Sequence, residues 1–300
     1  MTKLMPLQEA VSKFVNDGDT IYAAGFTHLI PFAAGHEIIR QGRRDLTLAR
    51  ATPDLIYDQM VAAGCARKVI FSYMGNPGVG SLRIVRAAIE KGELEWEEYS
   101  HFGMITRLQA AASGLPFLPM NQTAATDLER ANPLIRRVTD PYSGQEVIVV
   151  PALHPDVAIV HVQRADTNGN AQLWGIVGEQ KEVAFAARRL ILTAEEIVDE
   201  VVIRSDPNRT IIPGFIVSAV CHAPHAAHPS YAQGYYDRDN EFYLAWDKIS
   251  ETPATVKAWL DEWVFGVMDR DEYWLKLGPE KRAQLRVPSR MSTPVDYGQY

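Results

Sequence analysis

Hydrophobic positions in the first third of the chain switch repeatedly between two spacings. Segments with apolar residues every three or four positions alternate with short continuous apolar runs, and Gly, Asp or Pro residues separate them. The first spacing is typical of helices and the second of buried strands. We predict helices over residues 7–15, 31–40, 54–63, 81–91 and 102–112. We predict strands over residues 20–26, 46–51, 69–73 and 94–99.

This alternation indicates the fold class. Strands separated by single helices are joined by right-handed crossovers, which give parallel pairing. A parallel sheet buries both of its faces, and its ligands bind beyond the carboxyl ends of the strands. We therefore expect an α/β protein with a mostly parallel sheet and helices on both faces. Its ligand loops should lie at residues 25–28, at residues 75–78 and around His101.

The pattern changes beyond Pro141, where strand-like runs come in pairs. The runs 156–162 and 171–176 flank the turn Asp166-Thr167-Asn168-Gly169-Asn170, which predicts a hairpin. Further predicted elements are a helix over residues 179–188, a strand over residues 190–193, a strand over residues 211–220 that Pro213 and Gly214 break, and helices after Ser250. We expect one α/β domain over residues 1–250, with a helical extension and tail, residues 251–300, packed on that domain.

Composition and charge narrow the class of protein. The chain has 300 residues, 47% of them hydrophobic and 22% charged, which suits a globular protein with a sizeable core. The formal net charge of -7 provides no basic field, so nucleic acid is not an expected partner. The N-terminal segment lacks the apolar core and cleavage site of a secretory signal, and no later run reaches a membrane-spanning length. We expect a cytoplasmic protein without a membrane partner.

Candidate metal ligands do not form a recognisable site. Cys65 and Cys221 lie far apart in the sequence, and we interpret both as buried thiols. His222, His225 and His228 follow one another at intervals of three, but nearby prolines disfavour the helix that would bring the rings together. We therefore predict no metal and interpret these histidines as loop or hydrogen-bonding residues.

No complete catalytic motif is present in the sequence. The glycines after the first strand lack the spacing of a dinucleotide site, the P-loop is absent, and Ser72 and Ser81 lie outside any nucleophile elbow. The turn at Pro77, Gly78 and Gly80 precedes a predicted helix, so its N–H groups could hold an anion or serve only as a turn. The residues alone predict ligand loops without a catalytic set.

Several segments resemble the family I CoA-transferases. The run Asp17-Gly18-Asp19-Thr20-Ile21, followed by apolar residues and Ala24-Gly25-Phe26, is similar to that family's Asp-Gly turn, apolar strand and Gly-Gly-Phe loop. Ala24 replaces the first glycine, and Tyr22 interrupts the aliphatic run. Segments that resemble the A subunits of glutaconate and 3-oxoadipate CoA-transferases are GFTHLIP, TPDLIYD, GNPGVGSL, ADTNGN and HPSYAQGYYDRDNEFYLAW. The likeness covers nearly the whole chain.

The resemblance implies a fold of the CoA-transferase and sugar-phosphate isomerase-like superfamily and an active site shared between two chains. In that family the acyl-CoA thioester is attacked by a glutamate of the B subunit, and CoA passes through a glutamyl-CoA intermediate to a carboxylic acid. The A subunit contributes donors near the developing oxyanion. The implied partner is a B subunit, in an αβ or α2β2 assembly. The implied substrates are an acyl-CoA and a 3-oxo or dicarboxylic acid, with coenzyme A as a substrate and no permanently bound cofactor.

The resemblance to the family I CoA-transferases also implies which residues form the site. The substrate-binding residues implied by the two matching loops are Gly25, Phe26, Thr27, Asn76, Pro77 and Gly78. His101 is the catalytic candidate, because it follows a predicted strand and its imidazole could donate to an acyl carbonyl or pair with an acceptor carboxylate. It could instead cap the helix that follows it.

Two other functions stay open. One branch of the superfamily uses the same two-subunit body to hydrolyse a carbon–carbon bond of cyclic acyl-CoA intermediates in steroid breakdown, with an acidic residue in an A-subunit loop. His101 stands where that acid would align. The fold also occurs in effector-binding regulators, but no DNA-binding helix pair precedes Asp17. We expect transfer first, hydrolysis second and effector binding last.

Overall fold

The computed structural model describes residues 2–75, 80–120 and 126–287. The helices in these ranges are α1 (Leu7–Phe14), α2 (Phe32–Arg40), α3 (Leu55–Ala62), α4 (Arg83–Glu90), α5 (His101–Ala112), α6 (Leu128–Ala131), α7 (Gln180–Ala186), α8 (Glu200–Ser205), α9 (Asn240–Ile249), α10 (Pro253–Leu260), α11 (Arg270–Lys276) and α12 (Gly278–Gln284). None of these described helices has the length and apolar character needed to cross a membrane.

The strands of the same ranges are β1 (Thr20–Ala23), β2 (Leu46–Ala49), β3 (Ala66–Phe71), β4 (Glu95–Glu98), β5 (Phe117–Pro119), β6 (Arg136–Thr139), β7 (Glu146–Pro151), β8 (Val157–Ala165), β9 (Ala171–Gln172), β10 (Arg189–Ile197), β11 (Thr210–Ile212) and β12 (Ala219–His222). Each helix and strand predicted over residues 7–112 is present, with small shifts at its ends.

Most strands of the described ranges form one parallel sheet. Their order is β12-β10-β8-β1-β2-β3-β4, and every neighbouring pair in it is parallel. Ile21 of β1 lies beside Leu48 of β2 on one side and Val157 of β8 on the other. The carboxyl ends of these strands therefore meet at one edge of the sheet. The predicted α/β fold with a mostly parallel sheet is confirmed.

Both faces of the sheet are buried. Ile21 and Ala23 of β1 lie in one apolar cluster, which helices α1 to α4, α9 and α10 cover. Tyr22, between them, points to a second cluster that α5 and α7 cover, as the two-residue period of a strand requires. Cys65 and Cys221 are free thiols buried in the first cluster, as predicted. Burial on both sides explains why the strands read as continuous apolar runs.

The stretch over residues 211–220 is broken at Pro213 and Gly214, as predicted, but its two parts do not belong to one strand. Two strands occupy this stretch: β11 is antiparallel to β9, and β12 is parallel to β10. Pro213 cannot donate to a ladder, and a Cβ on Gly214 would lie 2.6 Å from the carbonyl oxygen of Asn168, so the chain turns between them. The predicted hairpin is confirmed as β8 and β9, although β9 ends at Gln172.

A second sheet, with the order β5-β7-β6, was not predicted. Its pairs are antiparallel. β5 and β6 are short and largely exposed, so their sequences carry little of the apolar signal that marks a strand.

The C-terminal helices pack against α2 and α3. In α9, Tyr243 Oη donates to Asp54 Oδ1 at 3.0 Å, and Trp246 Nε1 donates to Asp58 Oδ2 at 2.9 Å. Trp259 of α10 joins the first apolar cluster. The division of the chain at residue 250 stays a prediction.

Asp58 links three helices through one buried carboxyl group. Its Oδ1 accepts the backbone N–H groups of Ile84 at 3.1 Å and Val85 at 2.9 Å, at the start of α4. Its Oδ2 accepts from Trp246 of α9. Burial raises the pKa of this carboxyl to about 6, although the hydrogen bonds oppose the rise.

We predict that Asp58→Ala lowers the free energy of unfolding by about 2–4 kcal/mol, because buried donors lose their acceptor. The raised pKa lies above the unfolded value of about 4, so the carboxyl stabilises the fold most below pH ~4 and less as the pH rises through about 6. Urea unfolding should therefore show a difference between parent and variant that shrinks over this range. Asp127→Ala, at an exposed carboxylate, is the control. A difference that does not change with pH contradicts the prediction.

Candidate functional site

The loop after β1 begins with a glycine that its own backbone requires. Gly25 has a φ of +132°, and a Cβ there would lie 2.7 Å from the carbonyl oxygen of His28 and 3.0 Å from that of Leu29. A side chain at this position would collide with the loop itself. The conformation of the loop therefore depends on Gly25 before any ligand binds.

Two further residues of the loop adopt strained backbone angles. Thr27 and Leu29 have φ values of 56° and 54°, which for non-glycine residues cost roughly 1–3 kcal/mol each. Neighbouring segments hold them: Ser230 Oγ donates to the carbonyl oxygen of Thr27 at 2.8 Å, and the N–H of Leu29 donates to the carbonyl oxygen of Tyr231 at 2.9 Å. Backbone strain maintained by its surroundings is common at functional sites.

His28 connects this loop by hydrogen bonds to two segments that are distant in the sequence. The ring is fully buried, with Nδ1 3.0 Å from the carbonyl oxygen of Ile176, and Nε2 accepts the backbone N–H of Gln233 at 3.0 Å. These partners assign the proton to Nδ1. Burial lowers the pKa of the ring to about 4, so it is neutral near pH 7. His28 is a scaffold residue, a role that sequence analysis did not assign to it.

His101 begins α5 at the carboxyl edge of the sheet. Its Nε2 lies 2.8 Å from Thr52 Oγ1, after β2, and its Nδ1 lies 2.7 Å from Ser72 Oγ, after β3. The ring of Phe26 meets the imidazole edge-on, with the centroids 6.1 Å apart. His101 and the first predicted loop, which were selected separately from the sequence, therefore lie together.

The ring of His101 does not cap α5. Ser100 is the capping residue, and its Oγ accepts the backbone N–H of Gly103 at 3.0 Å. The ring instead points toward the loops that follow β2 and β3. The capping role considered from the sequence is wrong.

The hydrogen bonds of the cluster assign the imidazole proton. Ser72 Oγ donates its only proton to the carbonyl oxygen of Ala51 at 2.6 Å, so it accepts from Nδ1–H of His101. Nε2 then accepts from the Thr52 hydroxyl. Partial burial lowers the pKa of His101 from 6.5, which keeps the ring neutral near pH 7. A serine that gives its proton to a backbone carbonyl is not an activated nucleophile.

The cluster of His101, Thr52 and Ser72 contains no carboxylate. Across the described ranges, burial is the only cause that shifts the pKa of His101, and its ring nitrogens bond to the two hydroxyls. The sequence alone assigns neither hydroxyl a role, because each lies far along the chain from the ring that pairs with it. The cluster can donate, accept and position groups.

Exposed apolar side chains lie beside this cluster and the loop after β1. We call them the apolar rim, which consists of Phe26, Tyr73, Phe102, Ile176 and Val177. Tyr73 and Phe102 follow Ser72 and His101 in the chain, and Ile176 and Val177 belong to the segment that meets His28 and Phe26. Phe26 is 36% exposed, Tyr73 50% and Phe102 46%. Large apolar groups exposed together are typical of a surface that binds another chain or a ligand.

The second predicted loop, Asn76, Pro77 and Gly78, lies outside the described residues. A cavity of about 400 Å³ lies beside the described ends of that segment, and Gly75 and Gly80 contribute to its lining. Substrate binding by this loop stays a prediction.

The three histidines of the CHAPHAAHP segment make different contacts, although His225 and His228 both pack against Trp274. His225 stacks on Trp274 with centroids 4.0 Å apart, and His228 Nε2 lies 3.0 Å from Asp239 Oδ2, while His222 ends β12 at the surface. Among the residues that the structure describes, no group of three or more His, Cys, Asp or Glu side chains could hold a metal ion. His225 and His228 therefore serve packing and hydrogen bonding.

Comparison with known proteins decides the family. Residues 4–223 match the family model described as coenzyme A transferase. The chain belongs to the coenzyme A transferase family. The family predicted from the signature loop and the later segments is confirmed.

This coenzyme A transferase chain is 51% identical to the A subunit of 3-oxoadipate CoA-transferase from Pseudomonas knackmussii, over 94% of this chain and 100% of that one. It is 37% identical to the A subunit of glutaconate CoA-transferase from Acidaminococcus fermentans, over 99% and 98% of the two chains. The crystal structure of that glutaconate enzyme superposes with a TM-score of 0.92 at 36% identity, covering 98% of this chain and 99% of the other. The cholesterol ring-cleaving hydrolase IpdA subunit of Rhodococcus jostii is 28% identical, over 94% and 98%.

We predict that His101→Ala and His101→Gln lower kcat of the transferase, assembled with a B subunit, by about a hundredfold, because the ring positions the hydroxyls of Thr52 and Ser72. The melting temperature should stay near that of the parent. Since the pKa of the ring lies below 6.5, its protonation should leave the parent rate constant above pH ~7 and reduce it in more acidic buffer. His154→Ala, at an exposed histidine, is the control. A lower melting temperature of the His101 variants with an unchanged kcat would show that His101 has a structural role only.

Gly25→Val should abolish turnover, because the new side chain collides with two carbonyl oxygens and displaces Phe26. Gly92→Ala is a matched control, since Gly92 also has a positive φ of 73° but has open space around its Cβ position. Steady-state rates of both variants measure turnover, and their melting curves show whether each variant is folded. A folded, assembled Gly25→Val enzyme with near-parent turnover would reduce the loop to a strand terminus.

Proposed function

We propose that this chain is the A subunit of a two-subunit CoA-transferase, which moves CoA between an acyl-CoA and a 3-oxo or dicarboxylic acid. The main support is the neutral, carboxylate-free cluster around His101 in the described structure, which lies at an open edge of the sheet beside the apolar rim. The relatives named as A subunits of 3-oxoadipate and glutaconate CoA-transferases support the class of acid.

In the proposed reaction the thioester carbonyl is attacked by a glutamate of the B subunit, which expels CoA thiolate and leaves a mixed anhydride. The thiolate then attacks the glutamyl carbonyl, forms glutamyl-CoA and releases the first carboxylic acid. The second acid attacks glutamyl-CoA, and the same two steps in reverse produce its CoA thioester and the free glutamate. Coenzyme A is a substrate, and the steps need no bound cofactor.

The contribution of this chain is stabilisation of charge on the acyl oxygen. The backbone N–H groups of Phe26 and Thr27 have no acceptor within the described ranges, and Phe26 is partly exposed beside His101. Fixed N–H groups at such a place stabilise a tetrahedral oxyanion as it develops. Docking of the B subunit on the apolar rim would exclude water and strengthen these hydrogen bonds.

Hydrolysis fits the cluster less well. The hydrolase interpretation places an acidic residue in the loop where this chain has His101, and no carboxylate acts on that ring within the described structure. The hydrolase relative is also less similar than the two transferase relatives.

We predict that the chain alone is inactive and that its complex with the B subunit transfers CoA from succinyl-CoA or acetyl-CoA to a dicarboxylic or 3-oxo acid. Chromatographic measurement of both CoA esters gives the rate. By itself, the B subunit is the matched control and should also be inactive. Ordinary turnover by this chain free of any partner would contradict the shared site. Turnover of a cyclic acyl-CoA without an acceptor acid would favour hydrolysis.

A further inference from the structure

Two buried ionisable side chains lie beneath the loop after β1. Arg50 follows β2 and is 1% exposed, and Glu179 precedes α7 and is 2% exposed. Burial raises the pKa of Glu179, and the charge of Arg50 opposes that rise. The Tyr22 hydroxyl, which accepts the backbone N–H of Ala51 at 3.1 Å, also hydrogen-bonds to the Glu179 carboxylate. The pair and the tyrosine form a polar layer between the ends of β1 and β2 and the start of α7.

Arg50 connects this layer to the loop. Its Nη2 donates to the carbonyl oxygen of Gly25. The peptide between Gly25 and Phe26 is trans, so the N–H of Phe26 points opposite to that carbonyl. Because the carbonyl faces the buried guanidinium, the N–H faces away from the interior, toward the side where Phe26 is exposed. One peptide plane therefore links the buried pair to the open edge of the sheet.

The layer directs one buried donor at the loop. Nε and Nη1 of Arg50 and Oε1 of Glu179 have no hydrogen-bond partner among the described residues. Nη2 of Arg50, in contrast, donates to the Gly25 carbonyl oxygen. A fixed, buried guanidinium at this point is suited to orienting a single peptide plane.

We propose that Arg50 and Glu179 are positioning residues that aim the N–H of Phe26 at the oxyanion of the transferred acyl group. The guanidinium holds the Gly25 carbonyl, the charge of the Glu179 carboxylate attracts the guanidinium, and the peptide plane sets the direction of the N–H. A preorganised donor acts mainly on the transition state, so its loss lowers kcat more than it weakens acyl-CoA binding. The inference rests on the proposed function, because it requires the reacting carbonyl to lie beside Phe26.

The test removes both charges together, so that neither is left buried alone. Arg50→Met/Glu179→Gln, assembled with the B subunit, should lower kcat about tenfold to a hundredfold, with KM for acyl-CoA within about threefold of the parent value. Arg50→Lys keeps a cation near the carbonyl and should recover part of the loss.

A matched control removes an ion pair at the opposite edge of the same sheet. Arg189 Nη2 and Asp19 Oδ2 are 3.0 Å apart, at the start of β10 and before β1. Arg189→Met/Asp19→Asn should keep the parent kcat, and its melting temperature gives the effect of losing a partly buried pair away from the loop.

Parent-like kcat in the Arg50→Met/Glu179→Gln enzyme overturns the inference. A rise in KM that matches the fall in kcat, or an equal fall in the control, also overturns it, because either result indicates a structural role. If the double variant does not assemble, the same comparison of kcat and KM is made with Arg50→Lys. A kcat of Arg50→Lys equal to that of the parent then overturns the inference. CoA transfer by the parent complex separates the two proposals. If the parent complex transfers CoA and the double variant keeps its kcat, only the positioning role fails; if the parent complex transfers no CoA, the proposed function fails.

Discussion

Parallel pairing of β1, β2, β3 and β4 is the constraint on which the candidate site depends. Their register sets Ile21, Leu48, Val69 and Trp96 in one row across the sheet, so the four strands end at the same edge. Segments far apart in the sequence therefore meet there, and each contributes one or two side chains. A shift of one residue in any strand would turn its side chains to the opposite face and separate the groups.

The alternation of helices and strands was sufficient to predict this edge and to place Phe26 and His101 on it, since both follow strands. Thr52 and Ser72 could not be predicted, because a hydroxyl gains meaning only from the imidazole, which is 49 and 29 residues away from them in the chain. Buried charges are equally hard to recognise. The sequence does not distinguish Arg50 from a solvent-exposed arginine. Only the three-dimensional structure shows that it donates to the Gly25 carbonyl oxygen.

Local signals were also insufficient where tertiary pairing decides the structure. Pro213 and Gly214 predict a break in the apolar run over residues 211–220, but not that its two ends pair with different strands. The small antiparallel sheet was not apparent because β5 and β6 are mostly exposed. In both cases the chain follows hydrogen-bond partners that lie elsewhere in the sequence, which local propensity does not encode.

In the proposed reaction the chemistry is divided between two chains: this chain supplies fixed, neutral donors, and a B subunit supplies the carboxylate that becomes acylated. The central claim of this proposal is the position of the Phe26 N–H. The most direct measurement is a crystal structure of the assembled enzyme trapped as its covalent CoA thioester. The account predicts that the backbone nitrogen of Phe26 lies about 3 Å from the thioester carbonyl oxygen, at hydrogen-bonding distance. A thioester carbonyl that binds on another face of this chain, with the N–H of Phe26 still unpaired, would contradict it.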